Sequence, residues 1–376
     1  MSKKVLVTGG AGFIGSHLVD ELLKKGHDVT VIDNLEPQVH GGIRTAPKYM
    51  AEEARFVKAD LRELKKYLDI IEDIEIVYHL AAAVGVGQSM YQIEKYIDVN
   101  DTGTAKLLDI LVNEEVEVEK LIVASSMSTY GEGKYECENC GIVYPGLREE
   151  EQLKKGIWEV FCPSCGEKVR PLPTDEETPQ DCTSVYALSK KQQEKLCLLI
   201  GKTYGIDTTA LRFFNVYGSR QALSNPYTGV CAIFSSSLLC GNPPTVFEDG
   251  KQARDFVHVK DICQALLLSM EKSPSEGEVF NVGTGEKITI NWVAEVLASY
   301  INPEIKPQIT GKFRPGDIRH CFADIKKIQR KLGFTPQYSF EEGMKELVEW
   351  VKKQAGSVKD KSDKAKKELK EKGLLK

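Results

Sequence analysis

The most constraining feature of this chain is a turn close to its start. Val5-Leu6-Val7 reads as a buried strand, Thr8-Gly9-Gly10-Ala11-Gly12-Phe13-Ile14-Gly15 as a glycine-rich turn, and Ile14 to Lys25 as an amphipathic helix leaving it. Glycines at 9, 12 and 15 permit a tight turn, close approach of the backbone to a pyrophosphate and tight packing of helix on sheet. The free N–H groups and dipole of the helix start then favour an anion. The following strand, Val29-Thr30-Val31-Ile32, ends on Asp33 with Asn34 behind it. A carboxylate there accepts from ribose hydroxyls and repels a 2′-phosphate. A glycine triplet alone is weak evidence, but strand, triplet, helix, strand and acid in this order point to NAD rather than NADP. Gly9, Gly12, Phe13, Ile14, Gly15, Asp33 and Asn34 are the residues expected to line that cofactor.

The same rhythm continues through the first half. Lys4 to Thr8, Asp28 to Ile32, Arg55 to Val57, Ile76 to His79 and Lys120 to Ala124 read as strands, with helical stretches such as Asp101 to Val112 between them. Alternation of this kind predicts right-handed crossovers and a doubly wound parallel sheet, an α/β Rossmann fold. The rhythm breaks from about Gly133 to Pro171, where cysteine, acid, glycine and proline cluster, and resumes with a helix from Ser184 to Tyr204 and a strand from Thr208 to Phe213. Loops from Tyr217 to Thr228 and from Gly241 to Arg254, with helices at Val259 to Met270, Asn291 to Tyr300 and Phe340 to Lys353, predict a smaller α+β substrate region with returning sheet strands. The expected organisation is 1–133 and 172–216 for the dinucleotide-binding part, 134–171 for a four-cysteine insertion, 217–354 for the substrate region and 355–376 for a charged tail. Lys and Glu alternate in that tail with few apolar positions, so it is read as a frayed, solvated helix.

Composition narrows the function classes. Fifty Lys and Arg against 55 Asp and Glu give a net charge of −5 without a basic stripe outside the tail, which argues against nucleic acid as the main ligand. No run approaches the ~20 apolar residues of a bilayer span, and no secretory signal is visible. The expectation is a reducing cytoplasm and no membrane partner, so the ten cysteines need an explanation other than disulfides.

Tyr186-Ala187-Leu188-Ser189-Lys190 opens the helix from Ser184. Tyr and Lys four apart share a helical face, where an ammonium favours phenolate by opposite charge, and such a tyrosine can take a proton from an alcohol while hydride leaves the carbon. The spacing is common by chance. It gains weight from the serine-rich strand end Ala124-Ser125-Ser126-Met127-Ser128, because ligands bind beyond the carboxyl ends of parallel strands.

With these motifs the chain resembles the extended short-chain dehydrogenase/reductases of the nucleotide-sugar epimerase and dehydratase type. The likeness covers residues 3 to about 354 outside the cysteine insertion. Its other pieces are Asp60-Leu61, His79-Leu80-Ala81-Ala82, Asn100-Asp101-Thr102-Gly103-Thr104, Leu211 to Gly218, Arg254-Asp255-Phe256-Val257-His258 and Arg314-Pro315-Gly316-Asp317. The resemblance implies that Asp60 and Leu61 flank the adenine. It places Leu80, Ala81, Ala82 and Asn100 along the cofactor, with Tyr186 and Lys190. It also implies that Ser126 and Asn215 contact the substrate, a nucleotide-diphosphate sugar, and that Arg254 and Arg314 bind its phosphates, as guanidinium forks suit. Taken singly, either arginine reads equally well as a surface ion pair. A homodimer is implied by the family likeness alone.

Within the family the reaction depends on the two residues directly after Ser126. Dehydratases and decarboxylases carry an added acid there, where this chain has Met127 and Ser128, so a 4-epimerase is favoured. Ser126 would donate to the sugar oxygen, Tyr186 act as base and then acid, and Lys190 lower the tyrosine pKa and hold the nicotinamide ribose. Val84 stands where UDP-glucose epimerases often have Lys. The segment from Asp33 to Gly42 and the cysteine insertion resemble dTDP-L-rhamnose 4-epimerases, which form dTDP-6-deoxy-L-talose; residues 37–42 read equally as a flexible loop. A UDP-glucose-type 4-epimerase, a 4-keto reductase and a noncatalytic NAD-sensing module remain as alternatives.

Cys137-Glu138-Asn139-Cys140-Gly141 and Cys162-Pro163-Ser164-Cys165-Gly166 form two Cys-x-x-Cys knuckles 21 residues apart. Four thiolates with no histidine leave a tetrahedral ion no open position, so structural Zn in a ribbon-like module is expected, with a redox dithiol as the rival. Cysteines 182, 197, 231, 240, 263 and 321 lack ligand spacing and read as small hydrophobes, and His79 and His258 as structural residues.

Overall fold

Strands buried on both faces read as near-continuous apolar runs, because a parallel sheet is covered by helices on each side. In the computed structural model, which describes residues 2–227, 229–272 and 277–376, seven such runs form one sheet: β1 Lys4–Thr8, β2 Asp28–Asp33, β3 Arg55–Lys58, β4 Ile76–His79, β5 Lys120–Ser126, β6 Asp207–Phe213 and β7 Glu278–Val282. Thr228, the end of one expected loop, lies outside the described residues. The strand order is β7-β6-β5-β4-β1-β2-β3 and every pairing is parallel. The order reverses at β1, which lies between β2 and β4, and a crevice for a ligand opens beyond the carboxyl ends there. β7 is the returning strand from the second half.

Eight α-helices of ten residues or more are described: α1 Phe13–Lys24, α2 Gly103–Asn113, α3 Val185–Tyr204, α4 Val230–Leu239, α5 Val259–Glu271, α6 Ile290–Ile301, α7 Phe340–Lys353 and α8 Ser362–Glu371. Alternate residues of one strand serve opposite faces of the sheet. Val5 and Val7 join Leu18, Leu22, Ile262 and Leu266 in one core layer, whereas Leu6 joins Leu107, Leu111 and Cys197 in the other. A third cluster, with Phe234, Leu297, Met344 and Leu347, welds α4, α6 and α7 into the smaller region. Ser184 caps α3 by accepting from Ala187 N at 3.1 Å, and Ser339 with Glu342 forms a reciprocal capping box on α7.

Residues 135–171 form a small unit of their own. Tyr135–Cys137 pairs antiparallel with both Gly141–Val143 and Val169–Pro171, over a core of only Tyr135, Cys137, Val143, Val160 and Cys162. The tail departs from expectation. It is no frayed helix: Ala365, Leu369 and Leu375 are buried, and Lys376 exchanges two backbone hydrogen bonds with Phe313 at 3.0 Å. Its lysines shield a narrow apolar strip that composition alone hides.

Gly201, inside α3, shows how closely helix and sheet approach. A Cβ there would collide with Thr208 Oγ1 and sit 2.7 Å from Thr208 Cβ. Helix propensity favours Gly201→Ala by about 1 kcal/mol, whereas overpacking costs about 1–3 kcal/mol. Urea unfolding is expected to show the variant destabilised by up to about 2 kcal/mol; a gain would show that the sheet yields freely.

Candidate active site

The turn after β1 meets β4 at very short range. Gly9 has φ 69°, and a Cβ on it would lie 2.8 Å from Ala81 Cα; one on Gly15 would lie 2.6 Å from Gly10 Cα. Only glycine fits both places. The start of α1 carries no side-chain cap, so its N–H groups stay available to an anion. Phe13 and Ile14 form its first turn, and Ile14 packs on the core. Asp33, at the end of β2, accepts from Leu35 N (2.8 Å) and Ala11 N (3.1 Å). Burial raises its pKa, while neighbouring N–H groups and His40, whose Nε2 is 3.7 Å away, draw it down. A carboxylate has about four acceptor positions, so capacity remains for ribose hydroxyls. Asn34 donates to Asp60 at 3.0 Å, and Asp60, held well below the usual carboxylate range by Arg62, starts the turn that begins at Leu61. These residues fit NAD.

Residues 37–40 form a single helical turn rather than a flexible loop, and Gln38 exchanges two 3.0 Å hydrogen bonds with Gln88. Leu80, Ala81 and Ala82 leave β4 as expected, with Leu80 and Ala81 tied to Thr8. Asn100 is fully buried. Its amide is spent on Ala83 N (2.7 Å), Ala83 O (3.1 Å) and Ser189 Oγ (2.9 Å), so it bears on the cofactor crevice through the position of Ala83.

Ser126 closes β5 and Tyr186 lies in the first turn of α3, where the serine side chain is the one group besides burial that acts on the phenol. Burial pushes the Tyr186 phenol above its ordinary value, and Ser126 draws it back. Ser128 donates through both Oγ (2.9 Å) and backbone N (3.2 Å) to Ser126 Oγ, a positioning role that its sequence context does not reveal. Ser89 Oγ accepts from Tyr186 N at 3.0 Å. The expected pairing of Lys190 with the phenol takes another form here. The ammonium is 3% exposed and donates to Gln193 Oε1 at 2.7 Å, and it is not among the groups acting on Tyr186. Burial pulls Lys190 down to about 8, opposed by Cys197, Glu194 and Asp101. Gln193 in turn donates to Thr104 Oγ1 (2.8 Å) beside His79, which burial holds neutral with a pKa of about 3.

Across the crevice, Asn215 follows β6 with Oδ1 buried and unpartnered among the described residues. Arg254 donates to the carbonyls of Ala253, Ile318 and Arg319 at 2.6–2.9 Å, and no carboxylate is ion-paired with it among the described residues. Burial disfavours its charge. Asp317, Glu132 and Glu248 act on this half-buried guanidinium from a distance, and a phosphate could meet it directly. Arg314 lies 5.1 Å over the Phe247 ring, with Nε and one terminal nitrogen each 2.7 Å from Asp317 Oδ2.

The cysteine unit reaches this segment. The four sulfurs of Cys137, Cys140, Cys162 and Cys165 lie within 4.8 Å of one another. Arg148 donates to Glu248 (2.9 Å) and to Asp317 O (2.8 Å), while Trp158 packs on Phe313 with ring centres 6.3 Å apart.

Comparison with known proteins places this geometry in a family. The NAD dependent epimerase/dehydratase model matches residues 5–146 and the GDP-mannose 4,6 dehydratase model residues 166–347. A dTDP-L-rhamnose 4-epimerase of Burkholderia thailandensis is 35% identical over 356 residues, 93% of this chain and 95% of the relative. Among solved structures, the UDP-glucose 4-epimerase of Thermotoga maritima with UDP-glucose superposes with a TM-score of 0.75 at 31% identity, covering 93% of this chain and 99% of that one. The UDP-glucuronic acid 4-epimerase of Bacillus cereus, with UDP-glucuronic acid and NAD, gives 0.74 at 27% identity, covering 93% and 99%. The chain belongs to the NAD-dependent epimerase/dehydratase family of extended short-chain dehydrogenase/reductases. Within it, the chain stands with the nucleotide-sugar 4-epimerases, which are isomerases.

The folded pKa of Lys190, about 8, lies below its ordinary 10.5. The charged form is therefore penalised at every pH below about 8, by about 3 kcal/mol at 1.36 kcal/mol per unit, and the penalty fades as pH rises toward 10.5. Lys190→Met is expected to lower turnover at least ~100-fold while the thermal midpoint at about pH 7 holds or rises. A large fall in the midpoint would mean that the ammonium stabilises the fold.

Proposed function

We propose that this protein is an NAD-dependent nucleotide-sugar 4-epimerase that interconverts dTDP-L-rhamnose and dTDP-6-deoxy-L-talose. The observation that carries the reaction type is the set Ser126, Tyr186 and Lys190 without an acid at the two positions after Ser126. Met127 and Ser128 hold no proton to give near neutral pH, and Ser128 is spent on Ser126. A dehydration needs that additional acid; inversion at one carbon does not. Bound NAD supplies a hydride acceptor for sugar carbon 4 and the donor that restores it.

The chain's residues do the rest. Ser126 Oγ, steadied by Ser128, donates to the oxygen on carbon 4. Tyr186 takes the hydroxyl proton and later returns it to the other face of the rotated sugar. Lys190 holds the ribose next to the nicotinamide and supplies the positive field that the phenolate needs once the ammonium leaves Gln193. Asn215, Arg254 and Arg314 bind the diphosphate. In support of the dTDP sugar stand the Burkholderia relative and the apolar, half-exposed Val84 and Val86 after β4. An apolar pair suits the carbon-6 methyl of a 6-deoxy sugar. The Thermotoga and Bacillus structures favour a second reading, a UDP-hexose or UDP-hexuronate substrate.

Three further assignments belong to this reading. Zinc bound by Cys137, Cys140, Cys162 and Cys165 would be structural: four Zn–S bonds of about 2.3 Å need sulfurs about 3.8 Å apart, and Cys137 Sγ and Cys165 Sγ are 3.5 Å apart. So small a core cannot fold this unit unaided. The ten free thiols fit a reducing cytoplasm. On α3, Leu188 and Leu199 are 44% and 60% exposed. Eleven residues apart they share one face, which supports a homodimer through that helix.

NMR of dTDP-L-rhamnose incubated with the protein and no reductant is expected to show the carbon-4 epimer, and Tyr186→Phe to lower the rate at least ~1,000-fold. Conversion of UDP-sugars only would retain the mechanism and replace the substrate, while stoichiometric consumption of NADH would make the protein a reductase. Metal analysis is expected to give one Zn per chain, lost in Cys162→Ser/Cys165→Ser together with at least ~5 °C of thermal midpoint. A metal-free wild type of equal stability would refute the zinc assignment.

A further inference from the structure

Residues 359–376 carry eight lysines against four carboxylates in a chain of net charge −5. The segment does not trail free: with Ala365, Leu369 and Leu375 buried, it runs from one side of the crevice to the other. Near the carboxyl end of β4, Leu369 packs on Gly87 so closely that a Cβ there would lie 3.3 Å from Leu369 Cδ2. Glu368 accepts from Tyr91 OH at 3.1 Å and from Tyr227 OH, and the two phenols are themselves bonded at 2.6 Å. Tyr91 and Gly87 flank Ser89, whose Oγ receives the Tyr186 N–H at the start of α3.

On the opposite side, Lys366 donates to Thr245 Oγ1 at 2.9 Å, two residues from the Phe247 ring that Arg314 covers. The last residue, Lys376, pairs its backbone with Phe313, the neighbour of Arg314, and its ammonium with Glu150 of the cysteine unit. Between these points, Asp360 accepts from Asn242 at 3.0 Å and the Lys359 N–H is held by Ser224.

From this we infer that segment 359–376 is a strap forming part of the nucleotide-sugar site: it sets the 86–91 turn beneath Tyr186 and the 313–317 segment bearing Arg314, with Glu368 as a positioning residue. The inference rests on the reading of that crevice as the nucleotide-sugar site. The strap fixes the distance between the two binding halves, so a ligand that touches both meets them already in register and loses less freedom on binding. Its surplus of lysines raises the local concentration of a dianionic nucleotide, an effect that salt weakens. Glu368 and Leu369 touch neither Ser126, Tyr186, Lys190 nor the glycine turn, so their loss acts on nucleotide-sugar binding ahead of NAD retention.

The test uses the full chain carrying Glu368→Gln with Leu369→Ala, and beside it a chain ending at Val358. Titration calorimetry with dTDP and with UDP at low and at ~0.3 M salt measures the affinity, steady-state epimerisation gives KM and kcat separately, and retained NAD fluorescence with the thermal midpoint reports on the fold. We expect the double variant to weaken nucleoside-diphosphate binding and raise KM at least tenfold, with kcat changed less than threefold and NAD retained. The truncated chain is expected to show a larger loss and a flatter salt dependence. Affinity and KM within twofold of wild type in the double variant would overturn the strap, whatever the truncated chain does. Equal falls in kcat and kcat/KM at unchanged KM would also overturn it. Failure of the unaltered chain to bind either nucleoside diphosphate would overturn the reading of the site itself.

Discussion

A buried ammonium whose hydrogen-bond acceptor is a neutral amide is the group around which much of the first half is arranged. Lys190 lies in the wall of the crevice between α3 and the 97–102 turn, with Gln193 as its hydrogen-bond acceptor. Gln193 can offer that oxygen because its own amide is anchored on Thr104, and Thr104 is fixed by Asn100 O and neutral His79. His79 closes the chain on Thr8, the last residue of β1. Thus β1, β4, α2 and α3 meet in one buried polar relay, where each group is satisfied only if the others keep their places. Such a relay tolerates few rearrangements, and it holds the ammonium poised beside the cofactor crevice.

A second set of buried charges performs the corresponding task on the substrate side. Arg319 is fully buried, with Glu248, Asp249 and Glu159 around its guanidinium. Its backbone N–H donates to Glu132, whose pKa burial raises to about 8 against the pull of Arg148 and that N–H. Arg148 comes from the cysteine unit and Arg254 from the substrate region, yet both hold carbonyls within 317–319. The consequence is a loop pinned from two directions immediately after Arg314. Breaking one member of such a knot strands the others in low dielectric, which makes it a rigid mount rather than a source of net stability.

Legibility from sequence followed the range of the interactions. The glycine turn, Asp33 and six strands were readable because local periodicity and backbone geometry dictate them; Gly9 must be glycine wherever β4 passes that close. The Tyr186 and Lys190 pair was readable as well, but the partner that holds Lys190 in the structure is Gln193, an ordinary polar residue one turn further along, and nothing in its local sequence marks it. Ser128 and Arg148 were hidden for the same reason. In the tail charge outweighs apolar content, which gives a docked helix the pattern of a solvated one. Ala365 and Leu369, four apart, with Leu375 near the end, were the available signal.

The cysteine unit and the tail converge on a single short segment. Trp158 covers Phe313 from one side, and Lys376 pairs with its backbone from the other. Neither carries a residue of the Ser126, Tyr186 and Lys190 set, so both bear on the binding side of the crevice. A rotating 4-keto sugar must be loose enough to present both faces, which denies the enzyme tight contacts to the sugar ring. Binding energy must then come from the nucleotide and diphosphate, which keep their place while the sugar turns. Rigid support for Arg314 and its neighbours is useful under that constraint, and both the cysteine unit and the tail supply it.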